Sequence, residues 1–179
     1  IYRLTQEEIL DPANGDQTIA YTYDGKGNRL TKTDSSGVIT YNYDINDRLI
    51  TETGPAYVHT YSYDLNGNTT VKSAAGDTIA YSYDFENRLK GMETLTSTVA
   101  YSYDADGIRV GQDVDGAETG FTVDKNRPYA QVLEERDNLG SLTVQHVYGD
   151  DLISQERSGT ASYYHYDGLG STRALSDDD

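Results

Sequence analysis

A chain of 179 residues with 17 tyrosines, two phenylalanines and no tryptophan keeps much of its apolar surface in rings that also carry a hydroxyl, which suits broad sheet faces better than a tight globule. A formal charge of −16 argues against a nucleic-acid groove and against anionic membrane surfaces, since both are held by lysine and arginine. The absence of cysteine excludes disulfides, thiol catalysis and thiolate metal sites together, and no apolar stretch approaches the roughly twenty residues of a membrane helix.

The first residues show no basic-then-apolar leader pattern, and the chain is expected to begin and end inside something larger. High charge with modest hydrophobicity can signal disorder, but here the aromatic and β-branched residues are regularly placed. Tyr-x-Tyr-Asp occurs as Tyr21/Tyr23/Asp24, Tyr41/Tyr43/Asp44, Tyr61/Tyr63/Asp64, Tyr81/Tyr83/Asp84 and Tyr101/Tyr103/Asp104, at a spacing of twenty each time. A degenerate sixth copy, Phe121/Val123/Asp124, keeps the register. Such a fixed period marks an array of one supersecondary unit.

Each unit reads as a hairpin. The runs Ile19–Tyr23, Ile39–Tyr43, Ile79–Tyr83 and Val99–Tyr103 alternate, so one face carries Ile or Val and both tyrosines while the other carries small and polar residues. A turn rich in Asp, Asn and Gly follows each tyrosine pair. Returning strands then start at Arg29-Leu30, Arg48-Leu49, Arg88-Leu89 and Arg109-Val110, with Thr69-Thr70 breaking the pattern in the third copy. A second turn, marked by Gly37, Gly54-Pro55, Gly76 and Gly116, leads into the next unit. The step from Asp to the following Arg or Thr alternates five, four, five, four, five. A one-residue change in turn length would flip every later side chain, so the alternation predicts two turn types, with a bulge after the longer ones.

The predicted fold class is all-β: tandem twenty-residue antiparallel β-hairpin repeats forming a long coiled sheet strip of roughly fourteen to sixteen strands, part of a spiral shell, barrel or fibre. Residues 1–124 are the hairpin array, and residues 125–179 carry degenerate repeats. An open strip of that length is expected to coil, to pack on itself or to continue into neighbouring chain.

The repeated pattern in Tyr21–Leu30 and Tyr81–Leu89 resembles the YD-repeat, or Rhs-repeat, family. Near the end, Tyr164, Tyr166 and Asp167, within Tyr164-His165-Tyr166-Asp167-Gly168-Leu169-Gly170-Ser171-Thr172-Arg173, resemble the opening of the Rhs-associated core, so 125–179 is read as leading into it. His146–Ile153 is similar to the stretch that precedes that core. The resemblance implies a large secreted or cell-surface protein whose hairpin strip winds into a hollow shell. Bacterial Rhs and Tc-toxin C-type members enclose a C-terminal toxic polypeptide, often released by self-cleavage, and the animal teneurins use a similar barrel in adhesion. The cleavage motif and toxin would lie beyond Asp177–Asp179.

The remaining motifs are better read as structure. Tyrosine beside aspartate could stack sugars, but a binding site need not recur every twenty residues. The acidic turns at Asp64 and Asp104 lack the ligand pattern of a calcium loop, whose twelfth position from Asp104 is Asp115. His165, Asp167 and Ser171 share one hairpin, where a triad with an oxyanion site does not readily form. His59 fills the Ile19/Ile39/Ile79/Val99 position, and His146 lies in a presumed strand. Asp24/Arg29 spacing suggests cross-hairpin ion pairs, and the final acidic run reads as a solvated end. The sequence therefore predicts no catalytic, metal or cofactor site and no enzyme activity. The expected partners are the rest of the parent polypeptide or an enclosed toxin, with self-association through strand edges possible; nucleic acid and membrane insertion are excluded. The alternative is an adhesion or filament-forming extracellular protein binding partners or glycans through its strip.

Overall fold

A computed structural model describes residues 2–13 and 15–177. Among them are seventeen strands and no helix, one more strand than the upper expectation. Two compact units divide the chain, residues 1–87 with 92–96 and residues 88–91 with 97–179.

In the first unit β1 (Gln6–Ile9), β2 (Gln17–Tyr23), β3 (Arg29–Asp34), β4 (Gly37–Tyr43), β5 (Leu49–Thr53), β6 (Val58–Tyr63), β7 (Thr69–Ala74) and β8 (Asp77–Tyr83) pair in chain order, every ladder antiparallel. In the second, β10 (Thr98–Tyr103), β11 (Arg109–Val114), β12 (Ala117–Asp124), β13 (Gln131–Asp137), β14 (Leu142–Tyr148), β15 (Leu152–Arg157), β16 (Thr160–Tyr166) and β17 (Thr172–Ser176) do the same. The strand β9 (Leu89–Glu93) has its first residues in the second unit and its last in the first.

The extra strand, β1, continues a motif that the tyrosine pattern does not show. Arg3-Leu4 leads into it as Arg48-Leu49 leads into β5, and the Arg3 guanidinium lies 5.7 Å from the centre of the Tyr23 ring just as that of Arg48 lies 4.9 Å from Tyr63. Gly27 stands so close to the Arg3 guanidinium that an added Cβ would meet it at 2.7 Å.

The two-residue period holds. Along β4, β6, β8 and β10 the tyrosines and the Ile, Val or His before them are half-buried or buried, and the residues between them are exposed. His59 thus sits on the tyrosine face in the isoleucine position, its ring 4.6 Å from that of Tyr57. Among the described residues only Ile19, Tyr41 and Val144 are buried hydrophobics, so each unit is held along its ladders rather than by a thick core.

The second set of turns is tight. Asp115-Gly116 and Ser158-Gly159 are two-residue loops with both central residues at positive φ (55° and 86°, 53° and 83°), the hairpin geometry whose twist matches that of the flanking strands. Asp115 further accepts the Thr98 amide at 2.7 Å, and that bond, with one from Ser97, holds its carboxyl below the usual range. At Gly116 a side chain is strained whatever space surrounds it, whereas Gly25 has no positive φ and open space where a Cβ would stand. Gly116→Val is expected to cost on the order of 1 kcal/mol or more and to lower Tm by a few degrees in a thermal melt, with Gly25→Val close to neutral.

Candidate functional site

The motif residues converge at one end of each hairpin. After the second tyrosine, the Asp side chain folds into its own turn. Asp24 Oδ1 accepts the amides of Lys26, Gly27 and Asn28 at 2.7–2.9 Å. Asp44, Asp64, Asp104 and Asp167 each accept the amides two and four residues on at 2.8–3.0 Å. The Asp amide is answered by the carbonyl four residues on, as in Asp44 to Arg48 and Asp64 to Asn68. These are Asx turns closed by a negative charge.

The fourth motif keeps the same turn. Asp84 Oδ1 accepts the Glu86 amide at 2.9 Å, and the Asp84 carbonyl accepts the Asn87 amide at 3.1 Å, so the turn opens as its counterparts do. The border between the two units then falls after Asn87, inside this turn.

The bonds move the carboxylates. The Arg48 amide is the chief cause holding Asp44 below the usual range, the Asn68 side chain does so for Asp64, and the Lys125 ammonium for Asp104. At Asp24 desolvation pushes upward, but the bonds from Asn28, Gly27 and Lys26 together leave the group lowered. In a second turn, the hydroxyl and amide of Ser36 take Asp34 down to about 2.

The two tyrosines of each motif do different work. The hydroxyl of the second donates to the first carbonyl of the preceding return strand: Tyr43 to Arg29 at 2.9 Å, Tyr63 to Leu49 at 2.7 Å, Tyr83 to Thr69 at 3.1 Å, Tyr103 to Leu89 at 2.8 Å and Tyr166 to Leu152 at 2.6 Å. Tyr23 reaches Leu4 in the same way at 2.8 Å. The reason lies in the ladders. Those of β3 with β4 and β7 with β8 stop at Thr31 opposite Thr40 and Val71 opposite Ala80, short of Arg29 and Thr69, so a side chain meets those carbonyls instead. The first tyrosines pack: arginine guanidinia lie over Tyr21, Tyr41 and Tyr101 at 4.4–5.9 Å.

The expected alternation of turn types is corrected. The second tyrosine pairs with the residue six positions on in each of these hairpins: Tyr23 with Arg29, Tyr43 with Leu49, Tyr63 with Thr69, Tyr103 with Arg109 and Tyr166 with Thr172. The turn length is constant, and every one of these ladders carries its register shift at the second tyrosine, not only those with the longer spacing. What alternates is the arginine. At the fourth position after Asp it lies in the turn, and at the fifth it opens the strand.

That shift also corrects the ion pairs. Arg48, in the turn, contacts its own Asp44 at 2.6 Å, whereas Arg29 is turned away from Asp24 onto the rings of Tyr21 and Tyr41. In the first and third repeats that position holds Asn28 and Asn68, whose amides donate to Oδ2 of the same turn's Asp at 2.9 Å. Neighbouring turns then interlock: Asp47 Oδ1 accepts from Asn28 and Lys26, both at 2.9 Å, and Asn87 Oδ1 accepts from Asn66 and Asn68 at 2.9 and 2.8 Å. Asp47 and Asn87 hold the left-handed position (φ 63° and 62°) that Gly27, Gly67 and Gly107 fill in the other repeats.

The three other tempting groupings are dispersed. His165 points to the exposed face and contacts Ser176 at 2.8 Å, while the Asp167 carboxylate is used on the amides of Leu169 and Ser171. Asp104 closes the turn before β11, whereas Asp115, past the other end of that strand, is used on the Thr98 amide. His146 occupies the first-tyrosine position in β14, with Nε2 3.4 Å from Glu135 Oε1.

This end of the hairpins yields two expected outcomes. Tyr63→Phe leaves the Leu49 carbonyl without its donor and is expected to cost about 0.5–1.5 kcal/mol in chemical denaturation. Tyr61→Phe, which keeps its ring beside the Lys72 ammonium, stays near wild type. The lowered turn carboxylates contribute stability that is complete above the unfolded Asp value of about 3.9 and is lost as pH falls through their folded values. The hydroxyl of Tyr57, held to Glu52 at 2.7 Å and pushed up to about 12, has the opposite sign. Its contribution is present below about pH 10 and lost as pH rises toward 12. Denaturant midpoints should therefore fall at both extremes, and Asp64→Asn should flatten the acid limb.

The family model described as RHS Repeat matches residues 23–59. No curated protein matches the chain by sequence. A solved structure, the crystal structure of TcdB2-TccC3-TEV, superposes with a TM-score of 0.51 at 17% identity, covering 93% of this chain and 9% of that one. This chain therefore spans about a tenth of the length of that polypeptide and shares its local fold. Residues 23–59 thus match the RHS Repeat model, and the twenty-residue register they belong to runs from Tyr21 to Asp124.

Proposed function

We propose that the chain is a wall segment of a secreted or cell-surface RHS-repeat shell that encloses or displays a C-terminal toxic polypeptide. The observation that carries this reading is the junction between hairpins. The Tyr hydroxyl of one repeat is fixed to the return strand of the repeat before it, so each hairpin is built to be continued by another. The fold shared with part of TcdB2-TccC3-TEV supports it. In this role the chain has no chemistry of its own; its work is to hold a continuous wall, and its partners are the rest of the parent polypeptide and whatever that wall surrounds.

A second reading, an adhesion or filament-forming surface protein, is favoured by one feature. Ile45, Leu65 and Phe85 occupy the same turn position in consecutive repeats and are 88%, 105% and 90% exposed, a row of apolar tips at hairpin spacing.

Electron microscopy of the polypeptide that carries this segment separates the two. Hollow particles whose C-terminal polypeptide resists added protease are expected. Filaments would favour the second reading, and small solid monomers would overturn both.

A further inference from the structure

The fifth and sixth repeats meet at a hollow of about 520 Å³ lined in part by Arg109, Phe121, Val123, Val132, His146 and Tyr148. Its origin is visible by comparison with the junction of the first two repeats. There Arg29 lies over the rings of Tyr21 and Tyr41 at 5.9 and 4.4 Å, and its carbonyl receives the Tyr43 hydroxyl at 2.9 Å. At the later junction Arg109 repeats the arrangement over Tyr101 and Phe121 at 5.1 and 5.8 Å. Val123, however, stands where the second tyrosine should be. It has no ring to fill the space and no hydroxyl to give to the Arg109 carbonyl.

We propose that this hollow is a binding site for a phenolic group, which takes the place of the missing tyrosine. The ring of the guest lies against Phe121, Val123 and Val132, and its hydroxyl donates to the Arg109 carbonyl as Tyr43 donates to that of Arg29. The Arg109 guanidinium, already over two rings, supplies a cation for a third. The ladder of β11 with β12 stops at Gly111 opposite Gly120, so no β12 partner in it takes the Arg109 carbonyl. A second polar atom waits on the far wall: His146 Nδ1 is buried and has no hydrogen-bond partner, a state that buried polar groups rarely keep. The volume lies within the range of about 300–1,000 Å³ usual for ligand sites and exceeds what one ring needs, so the phenol can be a free small molecule or a tyrosine side chain presented by an extended peptide. The site follows from repeat geometry alone and stands apart from the shell reading.

The test is an NMR titration of the 179-residue chain with p-cresol and with toluene, which differ by the hydroxyl alone. Cresol is expected to shift the Val123 and His146 signals and to bind at least tenfold more tightly than toluene. Equal affinities, shifts confined to other residues, or no binding would overturn the proposal. N-acetyltyrosinamide binding more tightly than cresol identifies a peptide tyrosine as the natural guest, and the reverse order identifies a free phenol; either supports the site. Val123→Tyr rebuilds the rung and is expected to abolish cresol binding while raising Tm. Val123→Phe fills the space without the hydroxyl and should also exclude cresol, so unchanged cresol binding in whichever variant folds would overturn the proposal.

Discussion

The structure depends on a mismatch between two ladders. Within a hairpin the strands stay paired up to the second tyrosine, but between hairpins the pairing ends two residues earlier, leaving the first carbonyl of each return strand facing a gap. An unmet backbone acceptor that is shielded from water is costly, and a tyrosine is long enough to reach it from the next strand. The phenol hydroxyl therefore replaces a missing rung of the ladder. Its ring meanwhile supplies apolar area on a face that has little else, since so few side chains in either unit are fully buried. One residue type thus answers both the polar and the apolar requirement of a sheet without a deep core, and the abundance of tyrosine follows.

The aspartate completes the arrangement locally. Its carboxylate gathers the turn's amides, which fixes the return strand in the one register that brings its first carbonyl under the next repeat's hydroxyl. Arginine then has two acceptable places. In the turn it contacts the Asp carboxylate and covers the second tyrosine of the following repeat; one residue later it covers the first tyrosines on both sides. Both positions put a planar cation over a ring, so the sequence can drift between them without moving the backbone.

Much of this is legible in the sequence and some is not, for identifiable reasons. Alternation along Ile39–Tyr43 and Ile79–Tyr83 is a direct consequence of the strand period, and it places His59 on the correct face. The turn lengths are hidden because Arg looks like the marker of strand onset. Arg29 opens its strand and Arg48 does not, and only the pairing of Tyr23 with Arg29 and Tyr43 with Leu49 reveals that the count from tyrosine is constant. The strand β1 escapes the pattern because Arg3-Leu4, just before it, supply the Arg-Leu half of the motif without the tyrosine half. The bridging role of the second tyrosine leaves a faint trace, a fixed fourteen-residue step back to its acceptor, but nothing in composition separates it from its packing neighbour.

The interlocking of Asp47 with Lys26 and Asn28, and of Asn87 with Asn66 and Asn68, has a consequence for how such a chain can grow. Adjacent hairpins are complementary rather than identical, one bearing donors and the other the acceptor. Duplicating a single hairpin would set donor against donor or acceptor against acceptor at the new seam. Duplicating a pair keeps these interlocks, so the natural quantum of lengthening is two hairpins.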